Sequence, residues 1–180
     1  MLLVQRELVG AAAFSRLARS GLIHDVLGAS ALPADVPSSR PVRAHMVAPW
    51  IPAHTWLTGL AALWLEGFAR TPAVLDLAGP RGAHRTVPAP GSPPLAFHSG
   101  WLWGLPDAGP PRAATVARAC LDALAHSGAV DALPAVASAL RGGATTVGEL
   151  EAGVAIIERH THYRARVRSL VGALATLDAG

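Results

Sequence analysis

No lysine occurs among the 180 residues, so all fifteen basic side chains are arginines. That absence removes the phosphate-binding loop, whose Gly-Lys-Ser/Thr end requires a lysine to reach the β- and γ-phosphates. A single cysteine, Cys120, excludes any intrachain disulfide and points to a reducing cytoplasm. Phenylalanine and tyrosine are scarce, at three and one residues. Together with the abundance of Ala, Gly, Pro and Arg, this reads as nucleotide bias in the coding sequence as much as selection, so the arginine count is not in itself a functional cue. Neither a GxSxG elbow nor an HExxH zinc motif is present. An uninterrupted apolar helix of spanning length is also missing. Residues 44–65 carry no Arg, Asp or Glu, but Pro49 and Pro52 break them, leaving only Thr55 to Leu65 as continuous helix, the length of a buried core helix. At the start, Arg6 and Glu7 interrupt MLLVQREL before the apolar centre of a secretory signal forms.

What remains is a globular profile: 51% hydrophobic, 15% charged, 18 glycines and 15 prolines. The length fits one domain, or one with a small appendage. A net charge of +3 permits contact with nucleic acid or another anionic surface without demanding it.

Three zones follow along the chain. Residues 1–38 hold one helical pattern and a hairpin pattern, Pro33 to Arg43 has the composition of a linker or crossing segment, and 44–180 reads as a second unit. In the second unit TWLTGLAALWLEG predicts a helix capped by Thr55 and closed by Gly67. AVLDLAG (73–79) and PLAFHSG (94–100) predict short buried strands, joined through the turn-forming GPRGAHR. Helices are expected over about 114–126, 129–141, 146–158 and 160–177, the third opened by a Thr146/Glu149 capping box. Strands followed by a helical tail predict an α+β or α/β fold.

Spacing tests thin the chemistry. His160 and His162 lie two apart and diverge on a helix, so they cannot chelate one metal, and Cys120 and His126, six apart, build no nucleophilic pair. Trp50, Trp56, Trp64, Trp101 and Trp103 are expected to fill the core of the second unit. No catalytic, cofactor-binding or metal-binding residue emerges. Two basic surfaces do. Ala11 to Ser20 forms an amphipathic helix with Phe14, Leu17 and Ala18 inward and Ser15, Arg16 and Arg19 outward. Gly21 then supplies a stop, and LIHDVLGASAL supplies two strands about Gly28. Helix, glycine and hairpin make the second half of a winged helix, whose helix enters the major groove while the hairpin contacts flanking backbone. A packing appendage is the competing reading of the same pattern. The other surface is RHTHYRARVR, where Tyr163, Val167, Leu170 and Leu174 form a core stripe and leave Arg164 and Arg168 outward.

RLARSGLIHDVLGASALP resembles the recognition helix and wing of the AbiEi-type antitoxin and transcriptional-regulator family of bacterial type IV toxin-antitoxin systems. TGLAALWLEGF and VLDLAGPRGAHR resemble the helix, strand and loop that follow in that family. ATVARACLDAL, with Arg118 and Asp122, and GGATTVGELEAGV resemble its later helices. Two departures stand out: the helix before the recognition helix is missing or cut short, and the wing, usually basic, carries Asp25. The resemblance implies a partial winged helix followed by a mixed α/β domain with a helical C-terminal part. It further implies a non-enzymatic, cytoplasmic, autoregulatory DNA-binding regulator, with operator duplex as ligand and a cognate toxin as a protein partner. Ser15, Arg16, Arg19, Arg164 and Arg168 are the expected DNA contacts, and Asp25 is expected to oppose the phosphates. The alternative is a protein-interaction module of the same fold that has lost DNA binding.

Overall fold

The computed structural model describes residues 3–80, 91–99, 102–106, 111–157 and 163–178. The architecture is α+β. Val4–Gln5 forms a short strand, β1, Arg6–Val9 a single helical turn, α1, and Ala11–Arg19 the helix α2. Ile23–Leu27 (β2) and Ser30–Pro33 (β3) then pair antiparallel, and β1 joins the other side of β3, giving the order β1-β3-β2. The expected helix–glycine–hairpin is therefore present. The helix ahead of α2 is cut to one turn, because its predecessors Val4 and Gln5 pair with Ala31 and Ser30. Phe14, Ile23 and Ala31 form a small core with Val4, Leu17 and Ala18 packed against it, so α2 lies on this sheet by one face.

The chain continues through α3 (Arg40–Val47), a 3-10 turn (Ala48–Trp50), β4 (Trp56–Leu57), α4 (Gly59–Glu66), β5 (Leu75–Gly79) and β6 (Leu95–Ser99). It ends in α5 (Val116–His126), α6 (Ala129–Arg141), α7 (Val147–Ile157) and α8 (Arg164–Asp178). The second sheet is ordered β4-β5-β6, with β4 antiparallel and β6 parallel to β5. Among the described residues no helix is long and apolar enough to cross a membrane.

The main core is centred on α4 and α5, which pack on each other. Ala61 to Leu65 and Ala119 to Ala125 are buried without a break, which an amphipathic surface helix would not allow. Helix α7 approaches α5 where Gly153 faces Leu121: a Cβ on Gly153 would stand 2.4 Å from Leu121 Cδ1. The hairpin shares this core, since Leu27 and Leu32 are buried among the same residues as Met46, Trp64 and Leu75.

An ion pair lies inside that core. Arg118 and Asp122 are 2% and 3% exposed, and Arg118 Nε donates to Asp122 Oδ2 at 2.7 Å. Thr58 Oγ1 donates to the same carboxylate oxygen at 2.5 Å, and Arg118 Nη1 donates to the Trp103 carbonyl at 2.9 Å. Moving two charges out of water costs several kcal/mol each, and such a pair persists only when remaining donors and acceptors are satisfied as they are here.

Three local expectations are corrected. The helix of TWLTGLAALWLEG begins at Gly59 with Thr58 in the capping position, because Trp56 and Leu57 pair with Ala78 and Leu77. Thr55 instead donates to the Pro52 carbonyl at 2.7 Å. The second half of Pro33 to Arg43 is the start of α3, with Pro41 in the first turn, where a missing N–H costs nothing. Among the described tryptophans only Trp64 is fully buried, at 1% exposure. Trp50 and Trp103 pack against the core from its edge, Trp56 is half-buried and donates to the Pro106 carbonyl, and Trp101 lies outside the described residues.

Two stability predictions come from this core. Arg118→Met, which strands the Asp122 carboxylate, should lower unfolding free energy by about 3–5 kcal/mol in urea titration, and Arg118→Met/Asp122→Leu should lose less than the single variant. Burial leaves Cys120 with no accessible surface and pushes its thiol up to about 12. Native labelling by a thiol reagent should therefore be slow, and should accelerate in step with denaturant-induced unfolding.

Candidate nucleic-acid interface

Helix α2 presents Ser15, Arg16 and Arg19 to solvent, with Ala11 and Ala12 also exposed. No acidic residue lies on it, and Arg16 and Arg19 occupy its last turn. The pattern follows from the sequence: Phe14, Leu17 and Ala18 take the sheet-facing side, which leaves the positions one and two residues away outward. The C-terminus is closed locally, where Ser20 N–H donates to the Arg16 carbonyl at 2.9 Å and Ser20 Oγ to that of Leu17 at 3.1 Å.

The hairpin is held differently from a free wing. At its turn Gly28 has φ +60°, and a Cβ there would stand 2.4 Å from the Gly91 carbonyl oxygen. Ala29 N–H donates to that same oxygen at 2.9 Å, and the Ala29 carbonyl accepts from Arg6 N–H at 2.8 Å. The tip is thus pinned beneath the segment leading into β6. Both backbone groups of Ala29 are thus paired and the residue is buried, while Val26 and Gly28 beside it stay exposed.

The expectation for Asp25 is corrected. Instead of opposing phosphates, its carboxylate points inward and accepts from Ser38 Oγ, from Thr71 Oγ1 at 2.5 Å and from Trp64 Nε1 at 3.5 Å. Only 15% of the side chain is exposed. Partial burial pushes its pKa up, but the hydrogen bonds from Ser38, Thr71 and Trp64, with the adjacent His24, outweigh this and hold it below the ordinary 3.8. A linear pattern cannot reveal this role, because the partners lie 13 to 46 residues away.

On α8, Val167, Val171 and Leu174 are buried, while Arg164 and Arg168 are exposed. Tyr163, expected in the core stripe, is 42% exposed and meets His126 edge-on, with ring centroids 4.8 Å apart. Arg166, which no motif singles out, donates through Nη2 to the Ser127 carbonyl at 2.6 Å beyond the end of α5. The two arginine pairs do not share a helix or their main supports: α2 packs on α1 and β2, α8 on α5 and α7. His160, His162 and the Arg81–Arg85 loop lie outside the described residues.

A polar group that the motifs did not isolate lies on the second sheet. His98 on β6 pairs through Nε2 with Asp76 Oδ1 on β5 at 2.9 Å, and its ring stacks on His126 with centroids 3.9 Å apart and planes 11° from parallel. The two-residue alternation of β5 and β6, which puts Asp76, Ala78, Ala96 and His98 on one face, was the only trace of it in the sequence.

No family model matches the chain, and no curated protein matches it. Among solved structures, the chain is similar to the crystal structure of the RV2827C protein from Mycobacterium tuberculosis. The two are 16% identical, the match covers 96% of this chain and 72% of that one, and the TM-score is 0.45.

Asp25→Asn should destabilise the fold by about 1–3 kcal/mol, since the amide turns a donor toward groups that themselves donate. The wild-type carboxylate, with its pKa depressed, stabilises the fold above about pH 3.8 and loses that contribution as pH falls through its folded pKa. Chemical denaturation of both proteins at neutral pH and at pH 3 measures the difference, which should shrink at the lower pH.

Proposed function

We propose that this chain is a non-enzymatic, DNA-binding transcriptional regulator of the antitoxin type, acting in the cytoplasm on its own operator. The observation that carries the reading is the outward face of α2, where Ser15, Arg16 and Arg19 are exposed without an acidic neighbour on the helix. Arginines on such a face contact phosphates or base edges, and the serine hydrogen-bonds backbone. Support comes also from the resemblance of the helix, hairpin and later segments to the AbiEi-type family, whose members imply a cognate toxin as partner. Arg164 and Arg168 extend the basic footprint from a separate helix.

One observation favours a second reading. A hairpin whose tip is tied to Gly91 has less freedom to follow a flanking groove, and a protein-interaction module of the same fold would have no use for a free one.

Binding of the purified chain to its upstream duplex and to random duplex across a salt series tests both. Each phosphate neutralised contributes about 0.9 to the slope of log affinity against log salt, so four arginine contacts predict about −3 to −4 and α2 alone about −2. Arg16→Ala/Arg19→Ala should weaken binding and shallow the slope by about two units. Absence of binding to either duplex at low salt overturns the regulator and leaves the interaction module.

A further inference from the structure

We propose that His98, His126 and Tyr163 form a proton-sensitive clasp that holds the first turn of α8 on the end of α5 while His126 is neutral and loosens it when His126 takes up a proton. The three rings come from β6, the last residue of α5 and the residue just before α8. They are in contact in sequence, His98 face to face with His126 and Tyr163 edge-on to it. Tyr163 also starts the helix, since its carbonyl accepts the Val167 N–H at 2.9 Å. Its hold on His126 is therefore a hold on the first hydrogen bond of α8.

A charge on His98 faces the Asp76 carboxylate at 2.9 Å. Among the described residues, His126 has no carboxylate in ion-pair contact, and a charge on it lies 3.9 Å, ring to ring, from His98. Two stacked imidazolium rings at that spacing repel, where a neutral ring against a charged one does not. Four charged or titratable groups bear on His126, His98 among them. Asp76 on β5 and Asp122 on α5 favour its charged form, while Arg118 on α5 and His98 disfavour it. Arg118 and Asp122 are bonded to each other and largely cancel. Arg166 of α8 binds the neighbouring Ser127 carbonyl and adds positive charge nearby. Partial burial of the ring, then the charge of His98, leave the His126 pKa below the ordinary 6.5.

The sign is fixed by that lowering. The unfolded chain takes up the proton more readily than the folded one, so the clasp contributes fully above about pH 6.5 and is lost as pH falls from there through the lower folded pKa of His126. The loss is confined to the first turn, because Val167, Val171 and Leu174 anchor the rest of α8 in the core. The inference stands apart from DNA binding: it concerns how α8 docks, whatever α8 meets.

Nuclear magnetic resonance on the whole chain between pH 5 and 8 tests it, with the His126 imidazole signals assigned by their loss in His126→Phe. The expected result is a His126 midpoint below 6.5, with amides of residues 163–167 shifting at the same midpoint. His126→Phe keeps an aromatic ring in the column and should abolish that shift. Tyr163→Leu, which uncovers the imidazole without touching the core, should move the His126 midpoint back toward 6.5 and serves if the first variant does not fold. A wild-type midpoint at 6.5 or above, or amides that stay still while His126 titrates, overturns the clasp.

Discussion

The buried Arg118–Asp122 pair is the constraint on which the rest of the molecule rests. One carboxylate oxygen receives Arg118 from within α5 and Thr58 from the start of α4, and the same guanidinium reaches the Trp103 carbonyl. Three separated segments are thereby fixed to one point inside the apolar core. Because an unpaired charge there would cost several kcal/mol, alternative packings of α4 against α5 are penalised far more sharply than loss of an apolar contact would penalise them. Thr58, its hydroxyl committed to Asp122, leaves α4 without a side-chain cap. The helix start is held by tertiary bonding instead of by local sequence.

From that fixed centre the order passes outward to the N-terminal sheet. Trp64 of α4 and Thr71 beyond it hold Asp25, and Leu27 and Leu32 of the hairpin are buried in the core that α4 and α5 organise. The sheet in turn carries α2 through Phe14, Ile23 and Ala31. The exposed arginines of α2 are therefore presented by a support whose position is set within the main core, with little freedom for the short segment to swing by itself.

What could be read from the sequence divides along the range of the interactions involved. Helix α2, its Gly21 stop and the hairpin about Gly28 follow from neighbouring residues and are present. So is the Thr146/Glu149 capping box, in which Thr146 N–H donates to Glu149 Oε2 at 3.1 Å and Glu149 N–H to Thr146 Oγ1 at 3.2 Å. Of the candidate interface, the outward side of α2 was legible because a helical period assigns it once Phe14 and Leu17 are placed. The failures are non-local. Thr55 and Thr58 are equally good caps by local rule, and only the pairing of Trp56 and Leu57 with β5 decides between them. Asp25 read as a charge on a wing because its hydrogen-bond partners belong to residues far along the chain. Tyr163 fits an i, i+4 stripe with Val167, yet α8 begins just after it and its ring turns to His126.

If the chain meets duplex as proposed, the tied hairpin tip bears on how it would do so. In a full winged helix the wing adds phosphate contacts beside those of the recognition helix, and each contact contributes to affinity through released counterions. Here Ala29 at the tip is tied to Gly91 and the acidic residue of the hairpin faces the core, so on the proposed reading the hairpin would offer fewer groups to phosphates than a free wing. Contacts would come from α2 alone or from α2 with a second basic helix. A two-arginine face positions a protein on duplex only weakly, whereas rigid presentation lowers the ordering cost of binding. For such a surface, affinity would depend more on repetition of the contact, by a second copy or by a partner on the same duplex, than on elaboration of any one contact.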